Sequence, residues 1–152
     1  MELLHIHKDT WAAVGATALI PFYRLTDTDI VLLDTGIAAS DREGLTALLE
    51  EHGLRPKGIL CSHAHIDHAG NNRYFQEKYR IPVALTAREA GMCASILSLK
   101  CYFSAPAPPT WWSGSPSNLV HTPRRDYPLT RTAPFSFAGA EFTILHTPGH
   151  SV

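Results

Sequence analysis

Four residues that could bind a metal ion lie close together in the sequence Ser-His-Ala-His-Ile-Asp-His; they are His63, His65, Asp67 and His68. Residues two apart in an extended segment point to the same side, so His63 and His65 can direct two imidazoles at one point. Asp67 and His68 follow where the chain should turn into a helix, and they can offer a carboxylate and an imidazole to a neighbouring point. Imidazole and carboxylate ligands suit zinc, and also iron or manganese. The segment therefore predicts a metal centre.

This pattern rarely arises by chance. Nine of the 152 residues are histidine. At the chain's own histidine and aspartate frequencies, four such fixed positions match on the order of once per thousand chains. The alternative interpretation is a solvated histidine-rich loop that picks up metal ions adventitiously, and the density of ligands favours a built site over it.

A fifth candidate ligand, His150, follows the predicted strand 141–145 in the sequence His-Thr-Pro-Gly-His. The Pro-Gly pair forces a tight turn that can hold His150 in one orientation. Alone, such a turn is more typical of a protein surface. Together with His63 and His65 it supplies the third imidazole of a catalytic zinc site, which lowers the pKa of bound water from about 16 to about 7. The resulting hydroxide can attack a carbonyl or phosphorus centre.

Alternating strand and helix patterns predict the elements that position these residues. The clearest strand is 29–34, a short apolar run that ends in a turn. The clearest helix begins at Ser40, because Ser40 and Glu43 have the spacing of a capping box, and it ends at Gly53. The other predicted strands are 3–7, 11–23 (broken by Gly15 and Pro21), 59–61, 82–85, 134–137 and 141–145, and the other predicted helices are 68–79 and 87–99. This order predicts an α/β layered architecture.

Three sequence motifs together resemble the metallo-β-lactamase superfamily: HAHIDH at 63–68, LDTG at 33–36 and TPGHS at 147–151. The resemblance extends from about residue 10 to the end of the chain, and the TPGHS form is most similar to the glyoxalase II-like branch. It implies a four-layer αββα sandwich, α/β (α+β) in class, with metal ions at the edge where the two sheets meet.

The resemblance also implies a set of ligands and one or two zinc ions. A first metal would take the residues that match His63, His65 and His150, and a second would take those that match Asp67 and His68. The same motif occurs in mononuclear iron enzymes of this fold, so iron is the alternative metal.

Other candidates have supporting roles. The resemblance matches Asp34 to an aspartate that holds the metal-binding loop through hydrogen bonds; the alternative is an acidic cap at a strand end. Asp67 is the candidate catalytic residue, placed to orient water or move a proton. His146 either supports a ligand or packs on the sheet. The Pro-, Ser- and Gly-rich loop that contains Trp111 and Trp112 is either a substrate lid or a crossover packed on the domain.

The superfamily pattern stops at the third ligand motif. The length predicts one domain, 1–152, whereas the family's bridging aspartate and final histidine have no counterpart in the sequence. We therefore expect an incomplete sandwich that binds one metal well and a second weakly. We also expect an exposed apolar sheet face that favours self-association.

Composition narrows the function further. A net charge of −1 without a basic stripe argues against a nuclease or another nucleic-acid partner. No apolar run approaches the roughly 20 residues of a membrane span, and three cysteines without a close pair suit the cytoplasm. The leading hypothesis is a zinc hydrolase that acts on a small thioester, ester, lactone or phosphoester. The alternatives are an iron-dependent sulfur-oxidising dioxygenase and an inactive metal-binding fragment.

Overall fold

The computed structural model describes residues 1–93, 124–126, 132–145, 147, 149 and 150. Seven strands of this part of the chain form one mixed sheet in sequence order, and two further strands form a separate antiparallel pair. The strands are β1 (Leu3–His7), β2 (Thr10–Val14), β3 (Leu19–Arg24), β4 (Asp29–Leu33), β5 (Arg55–Leu60), β6 (Val83–Leu85), β7 (Arg124–Asp126), β8 (Thr132–Phe137) and β9 (Ala140–Leu145). The helices are α1 (Arg42–Glu51), α2 (Ile66–Ala69), α3 (Asn72–Tyr79) and α4 (Ala87–Cys93). None of these helices is long and apolar enough to cross a membrane.

The large sheet changes direction in its middle. Strands β1 to β4 form an antiparallel meander, whereas β4 to β7 pair in parallel. The carboxyl ends of parallel strands lie at one edge of a sheet, and ligand-binding sites commonly form at that edge. The segments that follow β4, β5 and β6 therefore meet at the same edge, although they are far apart in the sequence.

Apolar side chains alternate between the two faces of the sheet. In β4, Ile30 and Leu32 belong to the main core with the helices, whereas Val31 belongs to a second core on the opposite face. Helix α1 contributes Leu45 and Leu49 to the main core, and both are fully buried. Burying a leucine stabilises the fold by roughly 1.5–3 kcal/mol, so the helix layer is anchored mainly by such contacts.

The β8–β9 pair covers the opposite face of the sheet. Phe137 is 3 % exposed and packs with Val31, Leu60 and Ala84. The expectation of an uncovered inner face is therefore wrong for this part of the sheet. Three successive layers of the predicted sandwich are therefore present in the described residues. They are the helices, the large sheet and the β8–β9 pair. Self-association remains a prediction.

The predicted helix start at Ser40 is wrong. Helix α1 begins at Arg42, and its N-cap residue is Asp41. The Asp41 carboxylate accepts hydrogen bonds from the backbone N–H groups of Ile37, at 2.7 Å, and Ala16, at 2.8 Å. It therefore ties the incoming loop to the end of β2, which replaces the local capping box that the sequence suggested.

The predicted helix 68–79 is two helices, α2 and α3. A Cβ added at Gly70 would lie 2.6 Å from the carbonyl oxygen of Gly36, so the two backbone segments approach too closely for a larger residue at position 70. The side-chain amide of Asn71 donates to the carbonyl oxygen of Thr35 at 2.9 Å. These contacts divert the chain between the helices.

Two boundary predictions had different outcomes. Pro21 lies inside β3, opposite Ala12 of β2, and does not break the strand. Strand β3 pairs with β4 from Phe22 onward, so the missing N–H of Pro21 lies just before the start of that ladder. The predicted C-terminal glycine of the first helix is confirmed, because Gly53 follows the C-cap His52 with φ +61°.

Gly58 gives a direct test of the β8–β9 packing. A Cβ at this position would lie 2.4 Å from the ring of Phe137 and 3.2 Å from the Cβ of Ala138. We expect Gly58→Ala to lower the free energy of unfolding by about 1–3 kcal/mol in urea denaturation. Gly91→Ala is the matched control, because no atom of the described residues lies within 4 Å of a Cβ added at the helical Gly91 and alanine favours the helix by about 1 kcal/mol. Equal stabilities for the two variants would contradict the packing.

Candidate metal centre

The loop between β5 and α2 carries the main candidate ligands. At its start, the N–H of Cys61 donates to the carbonyl oxygen of Ala84 at 2.8 Å, which ties the loop to β6. At its end, His65 is the N-cap residue of α2, with extended backbone angles (φ −63°, ψ 148°). The loop is thus bonded to β6 at its start and continues into α2 at its end.

Three histidines meet above this edge. Each of His63, His65 and His150 has a ring nitrogen within 4.8 Å of those of the other two. The ring centroid of His63 lies 4.4 Å from that of His65 and 5.0 Å from that of His150. The structure therefore brings together residues that are far apart in sequence, and their binding of a metal remains a prediction.

The environment of His63 fits a cation. It is only 9 % exposed, and among the residues that the structure describes its buried Nε2 atom has no hydrogen-bond partner. Leaving such a polar atom unsatisfied costs about 1–3 kcal/mol, which a bound ion would offset. Burial lowers the pKa of His63 to about 4, with further contributions from His68 and His65. The ring is therefore neutral at neutral pH, the form that binds metals.

Ser62 orients the ring of His63. The Oγ of Ser62 lies 2.9 Å from Nδ1 of His63 and donates to Oδ2 of Asp34 at 2.8 Å. The hydroxyl can therefore accept a hydrogen bond from the Nδ1–H of His63. In that tautomer Nε2 carries the lone pair. This chain of hydrogen bonds selects the ring tautomer that a metal site needs.

Asp34 is the centre of the supporting contacts. It follows β4 with φ +72°, a left-handed conformation that aspartate tolerates better than most residues. Its Oδ1 accepts the N–H of Ser62 at 2.6 Å, and its Oδ2 lies 2.8 Å from Nδ1 of His68. Both carboxylate oxygens of Asp34 thus contact groups in the segment 62–68, and its support of a metal site remains a prediction.

The two remaining candidate ligands lie beside the first three. The hydrogen bond from His68 to Asp34 raises the pKa of His68, although burial opposes the shift. The other ring nitrogen of His68, Nε2, lies 3.5 Å from Oδ2 of Asp67, whose side chain is 41 % exposed. The ring of His68 is 4.1 Å from that of His63, centroid to centroid. A carboxylate and an imidazole thus adjoin the three-histidine cluster.

A family model described as the metallo-beta-lactamase superfamily matches residues 21–152. The chain belongs to this superfamily. The resemblance drawn from the motifs is therefore confirmed, as is the fold class.

Individual relatives show how the chain relates to the superfamily. The "Probable metallo-hydrolase YqgX" of Bacillus subtilis (strain 168) is 31 % identical over 81 residues, which are 53 % of this chain and 37 % of that protein. The crystal structure of "BLEG-1 B3 metallo-beta-lactamase" is 26 % identical with a TM-score of 0.63, covering 88 % of this chain and 57 % of that one. The "Beta-lactamase from Chitinophaga pinensis" is 16 % identical with a TM-score of 0.76, covering 99 % of this chain and 54 % of that one, and shows the fold alone.

The chain spans about half the length of these solved structures and a smaller share of the curated relative. Fold and family therefore rest on direct matches. The activity, substrates and partners of the whole protein are therefore treated as proposals.

Sequence reasoning did not identify Ser62 and Thr35, which form hydrogen bonds to the candidate ligands His63 and His68. Ser62 could have been found, because it directly precedes a candidate ligand in the sequence. Thr35, which is fully buried, gave no comparable signal; its N–H donates to the carbonyl oxygen of His68 at 2.7 Å, and its hydroxyl donates to Oδ1 of Asn72 at 2.8 Å. The candidates His146, Trp111 and Trp112 lie outside the described residues.

Proposed function

We propose that this chain carries the metal-binding part of a zinc-dependent hydrolase that acts on a small thioester, ester, lactone or phosphoester. The observation that carries the proposal is that His63, His65 and His150 each have a ring nitrogen within 4.8 Å of those of the other two. Membership of a superfamily whose relatives include a probable metallo-hydrolase supports it.

The residues of the chain have distinct roles in this proposal. The first ion would be held by His63, His65 and His150. A zinc ion in such a site acts as a Lewis acid and lowers the pKa of a coordinated water to about 7. Asp67, partly exposed beside His68, either binds a second ion or hydrogen-bonds the attacking water and takes up its proton.

Iron suits the same donors, so an iron-dependent dioxygenase is the alternative within this fold. Imidazole-rich sites with an adjoining carboxylate are common to both metals. Metal analysis of the purified chain together with oxygen consumption in the presence of a persulfide separates them. Iron in the site with oxygen uptake would replace the hydrolase proposal.

β-Lactam hydrolysis is a second candidate reaction. A specific observation favours it, because the B3 metallo-beta-lactamase structure is 26 % identical across 88 % of this chain. The glyoxalase II-like form of the TPGHS motif instead supports a thioester substrate. Both are acyl transfers to water, so the same arrangement of ligands would serve either one.

Cleavage of several model substrates tests the proposal. The zinc-loaded chain would be given a thioester, a lactone, a phosphodiester and a chromogenic cephalosporin, with His63→Ala treated identically. We expect saturable hydrolysis of at least one substrate by the wild-type chain, lost in the variant and after chelation. A chain that holds zinc but cleaves none of them would support the inactive metal-binding alternative.

A cytoplasmic location is also proposed. Cys61 and Cys93 are buried thiols, which suits a reducing compartment. Alkylation with and without prior reduction of the denatured chain, isolated from its natural source, tests this proposal. Thiols that react only after reduction would contradict it.

A further inference from the structure

Glu89 is a buried acid whose side chain reaches the metal-binding loop. It lies in the first turn of α4 and is only 2 % exposed. Its backbone N–H donates to Oγ1 of Thr86 at 3.2 Å, which is half of a capping box. Its Oε2, however, accepts the N–H of Ala64 at 2.8 Å, 25 residues earlier in the chain. The acid that local sequence would assign to helix capping therefore bonds to the loop at the end of β5.

Ala64 is the residue between the first two candidate ligands, and it is fully buried. The backbone N–H groups of Ser62 and Ala64, two positions apart, donate to the carboxylates of Asp34 and Glu89 respectively. Asp34 follows β4 and Glu89 follows β6, so the loop after β5 is held by two acids that follow the strands on either side of β5. Hydrogen bonds from an N–H to a carboxylate are among the stronger ones in proteins.

We infer that Glu89 is a positioning residue for the metal centre, fixing the N–H of Ala64 and with it the relative orientation of the imidazoles of His63 and His65. This inference rests on the proposed metal-binding role of those histidines. Asp34 acts on Ser62 and His68, whereas Glu89 acts at the peptide between the two ligands. Removing either acid would loosen a different part of the same loop.

Cobalt(II) titration of the metal-depleted chain tests the role of Glu89. Affinity would be measured by competition with a chromophoric chelator, and ligand geometry by the visible absorption of bound cobalt. We expect Glu89→Ala to raise the Kd by about 10–100-fold, the range typical of residues that support metal ligands, and to change the cobalt spectrum. Glu89→Gln keeps an amide oxygen for the N–H of Ala64 and should lose less affinity. Glu77→Gln is the control, because Glu77 is an exposed acid paired with Arg73.

The outcomes separate this role from a purely structural one. If Glu89→Ala unfolds more easily without metal but keeps the wild-type Kd and cobalt spectrum, the inference is wrong. Should Glu89→Ala fail to fold, Glu89→Asp withdraws the carboxylate by one methylene and should raise the Kd; a wild-type Kd in Glu89→Asp would then overturn it. No cobalt binding by the wild-type chain would overturn the metal centre itself.

Discussion

Replacing His63 with alanine should abolish tight metal binding by the chain. The ring of this residue is the central one of the cluster, with centroids of neighbouring imidazoles 4.1–5.0 Å away. Because a proposed ligand is removed directly, the loss of zinc affinity should exceed the roughly 100-fold that marks the upper range for supporting residues. Competition between the chain and a chromophoric zinc chelator measures it.

His5→Ala is the matched control for this experiment. His5 is also a histidine with an aromatic neighbour, but its ring packs on Trp11 at 4.5 Å between centroids, in the β1–β2 hairpin. We expect His5→Ala to keep the wild-type zinc affinity. Circular dichroism of both variants would show whether the fold is retained. A folded His63→Ala chain with unchanged zinc affinity would remove His63 from the metal centre.

Replacing Asp34 with asparagine should weaken zinc binding by about 10–100-fold. Asparagine has nearly the same size and also tolerates the left-handed backbone at this position, so strain is not added. One carboxylate oxygen becomes an amide nitrogen, which cannot accept hydrogen bonds. The variant therefore cannot hold both the N–H of Ser62 and the Nδ1–H of His68, which Asp34 binds through different oxygens.

Asp29→Asn provides the comparison for Asp34→Asn. Asp29 begins β4, on the same strand, and its carboxylate pairs with Arg55 at 3.1 Å and Lys57 at 3.4 Å. Both partners are largely exposed, and pairs of this kind contribute about 0–1 kcal/mol. Zinc affinity should be unchanged in Asp29→Asn. Equal losses in the two variants would mean that the effect comes from β4 in general and not from the contacts of Asp34.

The sequence predicted the fold well where a local pattern decides the structure. The apolar run of β4 and the leucine face of α1 each point to one element, and Gly53 marks the end of that helix. Prediction failed where tertiary contacts decide. The Asp41 carboxylate bonds to Ala16, on a distant loop, which no local capping rule anticipates. The short polar strand Arg124–Asp126 shows no alternation and is defined by its pairing with β6.

The residues of the candidate site also divide into those indicated by a local sequence pattern and those positioned by tertiary contacts. His63 and His65 were found because spacing along one extended segment already places them on one side of the chain. His150 was found through its turn and through the superfamily resemblance. Glu89 was missed because its contact with Ala64 forms only when β5 and β6 lie side by side. Nothing within a few residues of Glu89 in the sequence indicates that contact.

The number of zinc ions held per chain tests the central claim most directly. Dialysis of the full chain against a buffer of low free zinc, followed by elemental analysis, would count tightly held ions. We predict one ion per chain, lost when His63, His65 and His150 are replaced together by alanine in a chain that remains folded. Two tightly held ions would contradict the expected weakness of the second site. A wild-type chain without zinc, or a triple variant that retains it, would contradict the three-histidine metal centre.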